Sequence, residues 1–234
     1  MNVLVNHKII KRRNKIGQVA TLGSLVVLAV GLYLSFQDGM MGFALLALAV
    51  GFFSSQIGVF LGNRWGRSPR PDEVITAALK GLDNRYILYH YLTPVPHLLI
   101  GPAGVWNIIT YHQAGTITYD EGKQRWKQKG GNTYLKIFAQ EGLGRPDLDI
   151  EAFSNDMNKF MAKAAPKPLQ EKITVKPVLL FVNEKAIVNA NNAPVPTLSP
   201  DKFKDFIRKS AKNDPVDMEQ IESLAALLPK NDVE

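Results

Sequence analysis

A long stretch with almost no charge constrains this chain more than any other feature. Between Ile16 and Asn63 the only charged side chain is Asp38. Two uncharged runs flank that aspartate, at residues 17–36 and 41–61. As a helix, each run is about 30 Å long, which is the thickness of the hydrocarbon core of a bilayer. The surface of a soluble domain cannot be built from such runs, so the sequence predicts two transmembrane helices joined by a turn at residues 37–40.

Apolar runs also occur in the core helices of soluble proteins and in cleaved signal peptides, and both alternatives fit this sequence less well. Helices in the core of a soluble protein rarely extend beyond about 18 residues without a charge. A cleaved signal peptide has an apolar region of only about 7–15 residues. The segment Ala47-Leu48-Ala49 resembles a cleavage site, but it lies inside the second apolar run. The buried hairpin and the signal peptide are therefore kept as alternatives to a membrane hairpin.

The distribution of basic residues predicts the orientation of the hairpin. Residues 1–71 hold eight Lys and Arg and a single acid, while residues 72–234 hold 20 of each sign. Five of the eight cations precede the first run and three follow the second. Because Lys and Arg accumulate in cytoplasmic loops, we expect a multi-pass protein of the cytoplasmic membrane with both termini in the cytoplasm. The neutral second half makes nucleic acid an unexpected partner.

The predicted organisation has five parts. They are a basic cytoplasmic N-terminus at 1–16, two transmembrane helices at 17–61, a linker at 62–71, a cytosolic domain at 72–228 and a tail at 229–234, which we expect to be frayed. The lipid bilayer is the first expected partner. In the second span, small residues recur at helical spacing: Ala47, Gly51 and Ser55, and then Ser54, Gly58 and Gly62. Such stripes allow close helix packing, either between the two spans or with a second copy or another membrane protein.

The cytosolic domain is predicted to be α/β with a mixed sheet. An apolar stripe predicts a helix that begins near Asp72. Runs rich in β-branched and aromatic residues predict strands at 86–92, 97–100, 105–111, 134–138, 178–182 and 186–188, and a hairpin at 116–128. Amphipathic helices are predicted at 150–164, where residues 166–168 provide the stop, after an N-cap at Ser199, and at 218–228.

The segment His-Leu-Leu-Ile-Gly-Pro-Ala-Gly-Val-Trp at residues 97–106 resembles the nuclease-related domain family, NERD. The resemblance includes Gly115, Trp126, a first helix with Glu73 in its acidic start, and the strand at 177–181, and it covers roughly residues 72–210. It implies a prokaryotic protein with a restriction-endonuclease-like fold. It also implies hydrolysis of phosphodiesters by a Mg²⁺ ion that is held by an Asp and a Glu, with a Lys nearby.

The chain departs from the family pattern where the chemistry lies. The metal-binding Asp falls on Pro96, the Glu on Ile109 and the Lys on Tyr111, whereas Thr110 matches. Mg²⁺ takes hard oxygen ligands, so these residues do not support hydrolysis, and Glu73 is the one weak catalytic candidate left. The resemblance therefore implies a catalytically degenerate protein, with no metal or cofactor, that binds or assembles at the membrane. The alternatives are an active Mg²⁺-dependent nuclease with relocated residues, and an accessory subunit of a larger membrane complex.

Other chemistry-bearing groups have simpler interpretations. The chain has no cysteine, which excludes disulfides and thiolate sites. Asp120, Glu121 and Lys123 are expected to form a solvated hairpin turn. A metal site made of His97, His112 and Glu73 is the less favoured interpretation of those residues. The aromatic residues that are candidates for stacking on bases are expected to be core residues: Tyr86, Tyr89, Tyr91 and Trp106.

Overall fold

The computed structural model describes residues 1–131 and 142–234, and the strand predicted at 134–138 lies outside them. The chain divides into two compact units. The helical unit is Lys8–Arg70, and the sheet unit combines Met1–His7 with residues 71–131 and 142–234.

The helical unit is built from two long helices. They are α1, His7–Ser35, and α2, Met41–Leu61, and a π-helical turn, Gly62–Gly66, follows α2. Both helices are long and apolar enough to span a membrane. Only 17% of an apolar 18-residue segment in each helix is buried. Large side chains such as Leu25, Phe43 and Phe53 are about 60% exposed or more within this unit. A helix from the core of a soluble protein buries these side chains instead.

The two helices pack through small residues at seven-residue spacing. The buried positions of this seam are Gly17, Ser24 and Gly31 on α1 and Ala44, Gly51 and Gly58 on α2. A Cβ atom at Gly58 would lie 2.8 Å from the backbone nitrogen of Thr21, so glycine allows the backbones to approach closely. The stripes predicted from sequence contribute Gly51 and Gly58 to the buried seam. Ala47 is half-buried but also packs on α1, because a Cβ atom at Gly31 would lie 3.2 Å from its Cβ.

The described part of the sheet unit holds two sheets. In chain order the strands are β1 Asn2–Val5, β2 Ile87–His90, β3 His97–Gly101, β4 Gly104–Tyr111, β5 Gly115–Asp120, β6 Arg125–Lys129, β7 Val175–Phe181, β8 Ala186–Asn189 and β9 Thr197–Leu198. The larger sheet has the order β1-β2-β3-β4-β7-β9 and the smaller one β6-β5-β8. Strands β2, β3 and β4 are antiparallel, and β1, β7 and β9 join in parallel. The predicted mixed α/β class is confirmed.

Helices cover both faces of the larger sheet. They are α3 Pro71–Ala78, α4 Pro146–Ala164, α5 Lys167–Lys172, α6 Pro200–Asn213 and α7 Met218–Leu227. Helices α3 and α6 pack on one face with Ile75 and Phe203, and α4 and α7 pack on the other with Met157 and Leu224. The segment at 166–168 ends α4 as predicted, but α5 begins within it. Ser199 lies at the N-cap of α6 without making a side-chain hydrogen bond.

The edge strand β1 was not predicted. It runs parallel to β2, in a register from Asn2 opposite Ile87 to Val5 opposite His90. The segment that precedes α1 and the segment that follows α2 therefore belong to one sheet. The expectation of a frayed tail is wrong, because Asp232 accepts a hydrogen bond from the Val5 amide at 2.7 Å and Val233 donates to the Val5 carbonyl at 3.1 Å.

Candidate functional site

The three positions where the resemblance expects catalytic residues lie at one end of the β3–β4 hairpin. The β3–β4 pairing begins at Leu98 opposite Asn107, and Pro96 directly precedes β3. Tyr111 lies two residues beyond Ile109 along β4, so its side chain shares the face of Ile109. The fold thus brings Ile109 and Tyr111 together in one cluster, and none of the three positions carries a carboxylate or an ammonium group.

The side chains at this end of the hairpin form part of an apolar cluster. Ile109 is 4% exposed and packs in the cluster that contains Phe181 and Trp126. The Tyr111 ring stacks on Phe181, with centroids 5.3 Å apart, and its hydroxyl donates a hydrogen bond of 2.6 Å to the carboxylate of Asp149 on α4. Within residues 1–131 and 142–234, no group of three or more His, Asp or Glu is placed to hold a metal ion.

Glu73, the weak catalytic candidate, lies in a different place. It belongs to the first turn of α3 and lines a groove of about 600 Å³ beside β1. The polar residues that line this groove with it are Asp72, Thr76, Lys80 and His90, and the apolar ones include Val3, Val5 and Leu82. Helix α3 covers the face of the sheet opposite to that of Ile109 and Tyr111. The structure therefore does not place Glu73 in one site with those two positions.

Two histidines form a buried pair at the end of this groove. His90 lies opposite His97 in the β2–β3 register, and their Nδ1 atoms are 2.8 Å apart. The Nε2 atom of His90 is 3.0 Å from the hydroxyl of Thr76, and the two rings are 0% and 1% exposed. One Nδ1 must donate and the other must accept, so both rings cannot be imidazolium in this geometry. His97 is thus bonded to His90 rather than gathered with His112 and Glu73 around a metal.

Sequence reasoning missed this pair, although a signal for it existed. The predicted strands at 86–92 and 97–100 are joined by a short turn, and an antiparallel hairpin places residues on either side of its turn opposite each other. His90 and His97 stand at those two strand ends.

The acidic hairpin turn has ordinary structural contacts. Asp120 bonds the ammonium group of Lys127 and accepts a hydrogen bond of 3.0 Å from the Lys123 amide. The hydrogen bond from Lys127 lowers the pKa of the Asp120 carboxyl. Glu121 accepts a hydrogen bond of 2.9 Å from the amide of Asn192. These contacts stabilise the hairpin turn and hold it to the segment that contains Asn192.

The aromatic candidates for base stacking are buried. The exposed fractions of Tyr86, Tyr89, Tyr91 and Trp106 are all below 10%. Burial raises the pKa of Tyr89 to about 12, and the Trp106 indole donates to the carbonyl of Ala103 at 2.9 Å. Their faces are covered by other side chains, so they act as core residues.

Asn107 is a buried polar residue that the sequence did not single out. It is 1% exposed in the middle of β4, between Leu98 on β3 and Pro177 on β7. Neither polar atom of its side-chain amide has a hydrogen-bond partner among the described residues. An unsatisfied buried polar group costs about 1–3 kcal/mol.

No protein-family model, curated protein or solved structure matches this chain. Three features of the described residues bear on its function. They are the exposed apolar hairpin, the apolar cluster around Ile109 and Tyr111, and the groove that Glu73 lines.

Proposed function

We propose that this chain is a membrane-anchored, NERD-like protein that does not hydrolyse nucleic acid. Its cytosolic domain binds or assembles partners at a prokaryotic cytoplasmic membrane. The observation that carries the proposal is the apolar cluster at the end of the β3–β4 hairpin. Ile109 and Tyr111 occupy two positions of the expected catalytic set, and both side chains are buried among hydrophobic residues.

The exposed surface of the helical unit supports the anchor. Its two helices close on each other through small residues and expose large apolar side chains outward. Water does not solvate such a surface favourably, whereas a bilayer does. The basic residues at the two outer ends of the hairpin and the lone Asp38 in its turn support cytoplasmic termini.

The order of the elements supports kinship with restriction-endonuclease-like folds. Helix α3 precedes three antiparallel strands, α4 crosses over, and β7 then joins β4 in parallel. This arrangement places helices on both faces of a mixed sheet, as the resemblance implies.

The loss of catalysis follows from the chemistry of the substituted positions. Proline and isoleucine provide no oxygen ligand for Mg²⁺, and the Tyr111 hydroxyl is engaged with Asp149. Removal of a single group that stabilises a transition state costs about 10²–10³ in rate. With three such groups replaced, we expect cleavage at the level of the buffer control, even though these losses are not additive.

The test uses the full chain, purified in mild detergent, with single- and double-stranded DNA and RNA in the presence of Mg²⁺ or Mn²⁺. We expect no cleavage above background. Glu73→Ala removes the weak catalytic candidate and Asp149→Asn removes the carboxylate that the Tyr111 hydroxyl contacts, and Glu184→Ala, an exposed acid elsewhere, is the matched control. Cleavage that is lost in either of the first two variants but not in the control would establish the relocated nuclease instead.

The assembly role has a separate test. The full chain is extracted from its native membrane in mild detergent and its mass is measured together with that of any co-purifying protein. A complex larger than one chain is expected. Elution as a monomer without a partner would contradict both assembly and the accessory-subunit alternative.

A further inference from the structure

The first turns of α1 form a cationic face outside the apolar run. Helix α1 begins at His7 and has 29 residues, which is about 44 Å against a hydrocarbon core of about 30 Å. Its first three turns therefore extend beyond the apolar run. They hold Lys8, Lys11, Arg12 and Lys15, all exposed, at the i, i+3, i+4, i+7 spacing that defines one helix face.

The opposite face of these turns is packed, which fixes the direction of the cations. Ile10 is 7% exposed, and the guanidinium of Arg13 lies 5.0 Å from the centre of the Trp65 ring. A Cβ atom at Gly66 would approach the Asn14 side chain to 2.7 Å. The first three turns of α1 are thus held against the π-helical turn that follows α2.

The cationic face has no neutralising acid within the helical unit. Asp38, the one acid among residues 1–71, lies in the turn at the far end of the hairpin. No described carboxylate forms an ion pair with Lys8, Lys11, Arg12 or Lys15. Four like charges on adjacent turns repel each other, so an anionic partner stabilises them.

The same face continues into an exposed apolar stripe. Val19, Leu22 and Val26 follow Lys15 at i+4, i+7 and i+11, and they are 62%, 66% and 64% exposed. A ligand that lies along this face therefore meets cations at one end and hydrocarbon side chains at the other.

We propose that this face binds anionic phospholipids, with the phosphate at Lys8–Lys15 and the acyl chains along Val19–Val26. The inference rests on the proposed membrane anchor and adds lipid selectivity to it. A phospholipid is the occupant because it is anionic at one end and apolar at the other, whereas a nucleic acid has no part that fits the apolar stripe. Each cation near an anionic surface contributes about a fivefold gain in affinity.

The experiment measures lipid binding to the full chain in mild detergent. Native mass spectrometry follows titrations with phosphatidylglycerol and with phosphatidylcholine, which differ in headgroup charge. We expect phosphatidylglycerol to bind at least tenfold more tightly, and this preference to fall as salt rises. The test variant is Lys8→Gln/Lys11→Gln/Arg12→Gln/Lys15→Gln. The control removes the same charge from exposed positions of the sheet unit: Lys163→Gln/Lys202→Gln/Lys209→Gln/Lys212→Gln.

The preference should fall at least tenfold in the test variant and persist in the control. A smaller variant, Lys8→Gln/Arg12→Gln, should show an intermediate loss and guards against misfolding of the larger one. Equal preference in the wild type and all variants would overturn the inference, as would a DNA duplex that competes for the same four residues more strongly than phosphatidylglycerol. Failure to float with vesicles of either lipid would instead refute the membrane anchor itself.

Discussion

The buried His90–His97 pair predicts a loss of stability on acidification. With their Nδ1 atoms 2.8 Å apart, the two rings accept at most one additional proton between them without separating. In the unfolded chain each of the two rings accepts a proton of its own, with the ordinary histidine pKa of about 6.5. Below that pH the unfolded state binds at least one proton more than the native state. The free energy of unfolding therefore falls as the pH falls.

The size of the effect follows from this proton count. One proton of difference changes the free energy of unfolding by about 1.4 kcal/mol per pH unit. Between pH 6.5 and pH 5 the pair therefore costs about 2 kcal/mol. This contribution is absent well above pH 6.5 and grows as the pH falls.

The assay is chemical denaturation of the full chain in detergent at several pH values on either side of 6.5. The perturbation is His90→Gln/His97→Gln, which removes the titrating pair and keeps a polar group beside Thr76. His7→Gln, at the start of α1, is the control. We expect the double variant to lose about 2 kcal/mol less than the wild type between pH 6.5 and 5, and the control to follow the wild type. Identical slopes in all three proteins would refute the reasoning.

Three further predictions concern topology and packing. Asp38→Cys should react with an impermeant thiol reagent in intact cells and Lys230→Cys should not; the reverse pattern would contradict cytoplasmic termini. Gly58→Leu should lower the thermal stability of the chain by about 1–3 kcal/mol, because a side chain there meets the backbone of α1. Gly23→Leu, where a Cβ meets nothing within 4 Å, should leave stability unchanged. Equal effects of the two substitutions would refute the packing of α1 and α2 through this seam. Asn107→Leu should raise the unfolding free energy by about 1 kcal/mol, and a loss would mean that its amide has a partner.

The elements that could be predicted are those whose signal is local. The absence of charge marked both long helices, and β-rich runs bounded by turn residues marked β2, β3 and β4. The predicted start of α1 lies too far along the chain. The basic residues after His7 are compatible with a helix, but they lack the periodic apolar residues that would indicate one. The predicted stripes did not include Ala44, which is buried in the seam, because only the partner helix shows which of several small residues lie deepest.

The features that could not be predicted depend on distant partners. Strand β1 has four residues, too few for a period, and its pairing partner is 85 positions away, from Asn2 to Ile87. The tail contact of Asp232 depends in turn on β1. The side-chain amide of Asn107 has no hydrogen-bond partner among the described residues because Pro177 and Leu98 flank it. Only the register of the strands determines that these two residues are its neighbours. At the candidate site, the substitutions at Ile109 and Tyr111 were visible in the sequence, but the hydrogen bond from Tyr111 to Asp149 was not.

The position of β1 ahead of both long helices sets an order of events during synthesis. The ribosome makes β1 first, yet β2 follows only 85 residues later, which at about 5–20 residues per second takes about 4–17 seconds. In that interval both apolar helices emerge, and in the proposed membrane protein they can enter the bilayer, while β1 has not yet met its pairing partner. The larger sheet then closes only after the hairpin is complete. In the proposed membrane protein, pairing of β1 with β2 requires that the hairpin returns the chain to the side on which it started.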